Sequence, residues 1–148
     1  MENFKSIDCV VVQGKRIASG LNNLPPSEKI NDTIRKQKPY FARSVPGIEN
    51  VLNGTINLSI APHKFELVGY DHEITCPWEE GIEETFWLIR AYLEHAGNRN
   101  EGWIYYPCPG PLKKHNNGVF EFLAPPIEGL TYSERVVLNY PKDLVRII

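Results

Sequence analysis

The stretch Gly54-Thr55-Ile56-Asn57-Leu58-Ser59-Ile60 alternates polar and apolar side chains without a break. A period of two marks a half-buried strand, because successive side chains leave a pleated backbone on opposite faces. Ile56, Leu58 and Ile60 are expected in the core, and Thr55, Asn57 and Ser59 on the other face. Asn53-Gly54 punctuates the chain just before this strand, as turn formers do.

Working outward, Ile7–Val12 reads as a buried strand, followed by a turn at Gln13-Gly14-Lys15 and a strand through Arg16–Ser19. Phe65–Val68, Ile74–Thr75, Phe86–Tyr92, Trp103–Tyr106, Val119–Leu123, Val136–Leu138 and Leu144–Ile147 also read as short strands. Phe86–Leu93 fits a helical period equally well. Pro25-Pro26-Ser27 sets up a helix with Ser27 as N-cap, Ile30 and Ile34 on one face and Pro39 as its stop. A shorter helical turn is expected after Pro46. The expected fold class is mostly β, with frequent strands and turns favouring a small closed barrel over a sandwich.

The chain has 148 residues, 42% of them hydrophobic, and is expected to form one domain spanning 1–148. It contains no apolar run long enough to span a bilayer. Acidic residues near Met1 replace the basic start of a signal peptide, so a cytoplasmic location is expected. Cys9, Cys76 and Cys108 are too scattered for a disulfide framework, and Cys9 is expected in the core.

A net charge of −2 argues against nucleic acid as a partner. Lys29, Arg35, Lys36, Lys38 and Arg43 nevertheless form a basic segment. Such a segment is either a solvated helix face or a patch suited to a small anionic ligand.

Thr55 and Asn57 present a hydroxyl and an amide side by side, just after Gly54. Neutral oxygens of this kind suit a hard cation such as Mg²⁺ that is already held by phosphates; they equally suit an ordinary polar strand face. His63, His72, His95 and His115 show no zinc spacing, although His72 and Cys76 would share a strand face. Asp71-His72-Glu73 reads as an exposed turn, and Glu79, Glu80, Glu83 and Glu84 as a solvated loop or helix end. Trp78, Trp87 and Trp103 are expected in the core or wall.

Three blocks carry a resemblance: Ile17-Ala18-Ser19-Gly20-Leu21, Gly54-Thr55-Ile56-Asn57-Leu58 and Phe120-Glu121-Phe122-Leu123-Ala124-Pro125. In this order and at compatible spacing, the chain resembles the archaeal CTP-dependent riboflavin kinases, which are cradle-loop β-barrels. Their corresponding blocks read Val-Val-Ser-Gly-Leu, Gly-Thr-Leu-Asn and Ile-Glu-Ile-Ile-Ala-Pro. Gly102–Pro107 resembles the family strand that precedes the third block.

The resemblance implies a closed six-stranded-type cradle-loop β-barrel with one or two short helices. It makes Thr55 and Asn57 the Mg²⁺ ligands and Glu121 the residue that meets a flavin hydroxyl. Ser19, Gly20, Leu21, Gly54, Lys113 and His115 would bind nucleotide and substrate. CTP would be the phosphoryl donor, and the partner a small molecule, a flavin or phosphorylated compound, with neither nucleic acid nor membrane.

The chain also departs from the family. The family's nucleotide loop runs Gly-x-Gly-x-Gly, so that backbone amides can cradle phosphates. Here it reads Gly20-Leu21-Asn22-Asn23-Leu24. Lys113 replaces a threonine, and Asn139-Tyr140-Pro141-Lys142-Asp143 replaces an Asp-Gly-Asp turn. These changes leave three expectations open: a transferase, a non-catalytic binding module, or another small-molecule enzyme using the same polar face.

Overall fold

The computed structural model describes residues 3–13, 33–108 and 117–148, without the side chain of Ile82. The first strand is β1 (Phe4–Val12), and helix α1 (Thr33–Ala42) leads into one short 3₁₀ turn, Ile48–Asn50. Next come β2 (Ile56–Ser59), β3 (Phe65–Leu67), β4 (His72–Glu79), β5 (Ile82–His95) and β6 (Asn98–Pro107). The last strands are β7 (Val119–Leu123), β8 (Arg135–Pro141) and β9 (Val145–Ile147). The molecule is mostly β, as the alternation predicts.

The larger sheet runs β4-β5-β6-β7-β2-β1-β8, and an additional pairing joins β5 to β8. That pairing closes β5, β6, β7, β2, β1 and β8 into a ring. Strand β5 can serve three neighbours because it is long: its first part pairs with β4 and its last, Tyr92–Glu94, with β8. The β3–β9 pair forms a separate two-stranded sheet.

Strict alternation fills the ring. Cys9 and Val11, Leu58 and Ile60, Ile89, Ala91 and Leu93, Phe120 and Phe122, and Val136 and Leu138 all point inward and are buried. Gly102 belongs to the same inner set. A Cβ there would lie 2.2 Å from the Leu123 carbonyl oxygen and 2.6 Å from Phe122 Cζ, so only glycine fits.

A second apolar layer lies outside the ring. Ile34 and Phe41 of α1, with Val45, Ile48 and Val51, cover Ile74, Cys76, Phe86, Leu88, Trp103, Tyr105 and Leu123. Strands β5 and β6 are therefore apolar on both faces, which explains why Phe86–Leu93 reads ambiguously. The segment is strand and not helix.

Two expectations need correction. Pro39 lies inside α1 and does not end it. Continuing past the proline places Phe41 at 0% exposure, and that burial offsets the lost backbone hydrogen bond. Of the two readings of the acidic run Glu79–Glu84, a solvated loop or a helix end, the first holds: it forms the hairpin between β4 and β5. It turns at Gly81, whose φ of +77° is the left-handed conformation glycine adopts without strain. His72 and Glu73, expected in a turn, open β4 instead.

The short turn expected after Pro46 is present as the 3₁₀ turn. The Gln13–Lys15 turn, the Arg16–Ser19 strand and the Ser27 cap lie wholly or partly outside the described residues.

Candidate functional site

The polar face of β2 behaves as its spacing predicts. Leu58 and Ile60 are buried, while Thr55, Asn57 and Ser59 are half-buried on the other side. Strand β2 lies between β1 and β7, with Asn57 opposite Val12 on one side and Glu121 on the other. Gly54 sits in a bend immediately before β2.

Pairing in register brings together residues that lie far apart in the chain. Thr55 Oγ1 donates a hydrogen bond to Glu121 Oε1 over 3.2 Å. One strand further on, Glu121 stands opposite Tyr105 of β6. The result is a polar row, Asn57–Glu121–Tyr105, across β2, β7 and β6 on the outer face of the ring.

Tyr105 is 4% exposed and Gln37 1%. The Tyr105 hydroxyl donates to Gln37 Oε1 over 2.7 Å, tying the row to α1. Neither residue stood out in the sequence reading. The available signal was Gln37 itself, a polar side chain on the helix face that carries Ile34 and Phe41.

Burial dominates the electrostatics of the row. It pushes the Glu121 carboxyl above the usual carboxylate range, while the Thr55 hydrogen bond pulls the other way. Burial also raises the Tyr105 phenol, and the nearby Glu121 charge raises it further. A carboxylate held at a raised pKa is a better proton acceptor toward a hydroxyl than an ordinary surface glutamate. Thr55 and Asn57 add uncharged oxygens beside it. A hydroxyl, an amide carbonyl and a carboxylate together make a hard-oxygen donor set, which fits Mg²⁺ chemically.

Other expected contributors fall elsewhere. Ser19, Gly20, Leu21, Lys29, Lys113 and His115 lie outside the described residues. Lys38 Nζ donates to the Val51 carbonyl over 2.6 Å, pinning the 3₁₀ turn. Lys36 reaches Glu79 at 4.0 Å, and Arg43 lies over the Tyr40 ring. Each of those three cations of the basic segment thus has a partner within the protein.

His72 and Cys76 share a face of β4, but Cys76 is buried under α1 in apolar company. Among the described residues, no group of three His, Cys, Asp or Glu side chains comes together to hold a metal ion. Cys9, Cys76 and Cys108 are all free thiols. Of the tryptophans, Trp103 is buried in the outer layer and Trp78 packs at its edge.

An open groove of about 460 Å³ lies elsewhere, between Ser6, Asp8, Pro62, His63 and Tyr140, and no residue of the polar row lines it. No protein-family model matches the chain, and no curated protein shows significant similarity to it.

Proposed function

We propose that this protein is a riboflavin-kinase-like cradle-loop barrel that binds a phosphorylated ligand, such as CTP, with Mg²⁺ at Thr55 and Asn57. The observation that carries this reading is the meeting of Thr55, Asn57 and Glu121. Thr55 Oγ1 contacts Glu121 Oε1, and Asn57 pairs with Glu121 in register. These residues come from two of the blocks that resemble the family. The six-stranded ring with a helix against its outer face is compatible with that architecture.

The chemistry of such a site is phosphoryl transfer to a hydroxyl, which depends on positioning and charge neutralisation. Mg²⁺, when bound, would neutralise the charge that builds up on the transferred group. Thr55 and Asn57 would hold the ion through uncharged oxygens. Glu121 would accept the hydroxyl proton of the acceptor as its oxygen bonds to the terminal phosphorus. The bond from that phosphorus to its bridging oxygen would break, and the nucleoside diphosphate would leave. Thr55, by hydrogen-bonding Glu121, would keep the carboxylate aimed at the acceptor.

Calorimetric titration with CTP, ATP, riboflavin and FMN, each with and without Mg²⁺, tests the reading. The expected result is Mg²⁺-dependent CTP binding that weakens about tenfold or more in Asn57→Ala, with FMN formed from riboflavin. Binding without turnover would assign the ring to a non-catalytic module, which the altered Gly20–Leu24 loop favours. Silence from all four ligands, or equal binding by Asn57→Ala, would overturn the assignment.

A further inference from the structure

Strand β1 has one edge that is only partly paired. Phe4–Val10 pairs with β8 on one side, whereas β2 covers only Val10–Val12 on the other. Beyond Ser59 the chain curls into a turn and leaves β1. The Ile60 N–H donates to the Gly118 carbonyl over 2.9 Å, and the His63 N–H donates to the Ile60 carbonyl over 2.9 Å.

The alternation of backbone groups along β1 decides what this exposes. The Val11 N–H donates to the Glu134 carbonyl over 2.9 Å, and the Val11 carbonyl accepts from the Ser133 N–H over 2.7 Å. The Asn3 carbonyl accepts from the Lys142 N–H over 2.9 Å. Odd-numbered residues of β1 therefore turn their N–H and C=O groups toward β8. Ser6 and Asp8 turn theirs the other way, where no described residue pairs with them. A free edge of this kind is a template for a further strand.

The groove of about 460 Å³ lies along that edge, lined by Ser6, Ile7 and Asp8 of β1 and by residues 60–63. Tyr140 and Ile147 line it too. Ile7, Ile60, Tyr140 and Ile147 all belong to the apolar interior of the ring or pack against it, so the groove has an apolar side. Tyr140 is 6% exposed, and its hydroxyl makes no hydrogen bond to a described residue. A buried phenol normally has a partner.

We infer that this groove takes an extended peptide segment of a partner protein, added antiparallel to β1 as a short strand. The peptide residues opposite Asp8 and Ser6 exchange N–H and C=O hydrogen bonds with them. The residue between these two stands opposite Ile7 and points to the apolar side, so a valine or isoleucine fits there. The residue opposite Asp8 shares its face of the sheet. Asp8 is the one side chain of fixed charge in the lining, so a lysine or arginine fits opposite it. No residue of the Thr55–Asn57–Glu121 row lines the groove, and the two surfaces are separate.

The test is NMR of the isotope-labelled full chain with the peptide acetyl-Thr-Lys-Val-Ser-Thr-amide. In the free protein, the Ser6 and Asp8 amides should exchange with solvent about tenfold or more faster than those of Ile7 and Cys9. The peptide should shift the signals of Ser6, Ile7 and Asp8 and slow exchange at Ser6 and Asp8. Methylating the lysine backbone nitrogen of the peptide should weaken binding about tenfold. Replacing that lysine by glutamate should weaken binding several-fold, and Asp8→Asn should narrow the difference. Slow exchange at Ser6 and Asp8 in the free chain would mean that the edge is already paired, by this chain or by a second copy, and would overturn the inference. Absence of any shift, or equal binding of the N-methylated peptide, would overturn it as well. Neither nucleotide nor Mg²⁺ enters the experiment, so failure of the kinase-like reading leaves this result unaffected.

Discussion

Tyr105 and Gln37 form a buried hydrogen bond of 2.7 Å between the outer face of the ring and helix α1, and each is the other's partner within an apolar layer. Removing one partner strands the other. Tyr105→Phe or Gln37→Leu should each cost about 1–3 kcal/mol. The double variant should recover much of that loss, because both polar groups leave together. Urea unfolding of the three variants checks this, and additive losses would show that the pair does not act as a unit.

The pH dependence of Glu121 should run opposite to that of most carboxylates. Its folded-state pKa is raised by burial, so the stability tied to its neutral form is present below the ordinary value of 4.5 and is lost as pH rises through the folded value. Glu121→Gln keeps an acceptor for Thr55 and removes the buried charge. The variant should melt higher than the parent at neutral pH, and the gap should close in acid.

Glu134 should show the opposite sign. Its carboxyl is pulled down chiefly by the backbone N–H of Thr131, then by the Thr131 hydroxyl and by His95. The stability it contributes is present above 4.5 and is lost as pH falls through the lowered folded value. Glu134→Gln should flatten the acid limb of a plot of Tm against pH. A parent and variant with parallel acid limbs would refute this.

Gly102→Ala should be among the most damaging single changes. Its Cβ would meet backbone at Leu123 O as well as the Phe122 ring, so no rotamer relieves the clash. A loss of about 3 kcal/mol is expected, read from the shift in denaturant midpoint. Gly97→Ala, where a Cβ would meet nothing within 4 Å, should cost less even though φ is +80°.

The thiols should separate by burial. Cys9 is 1% exposed and its pKa is pushed up to about 12, chiefly by burial, so it should stay unmodified by a thiol reagent at neutral pH. Burial raises the Cys76 and Cys108 thiols as well, but Cys76 is buried while Cys108 is only half-buried and more accessible to a reagent. Cys108 should therefore be the first to react with Ellman's reagent in the native protein. All three should react after unfolding.

The strands were legible wherever one face is wet. Thr55–Ile60 alternates cleanly, so its inward and outward residues follow from the period alone. Phe86–Leu93 was not legible in this way, because α1 buries its outer face and erases the alternation. Pro39 misled because its local cost is visible in the sequence, while the burial of Phe41 that offsets it is tertiary. Thr55, Asn57 and Glu121 stood out as residues, but their meeting depends on the β2–β7 register, which no local pattern encodes. Gln37 and Tyr105 went unnoticed because their partnership joins a helix and a strand 68 residues apart.

The β1–β8 seam of the ring also sets a constraint in time. Strand β1 pairs with β8, Phe4 opposite Pro141 and Val10 opposite Arg135. Contacts between segments so far apart in sequence form slowly, because the chain loses much of its freedom before they repay it. During synthesis, β1 can meet β2 early along Val10–Val12, but its Phe4–Val10 edge must wait for β8. Through that interval its apolar residues Ile7 and Cys9, which pair with Leu138 and Val136, stay open to wrong neighbours, so yield from the ribosome should depend on how fast β8 follows.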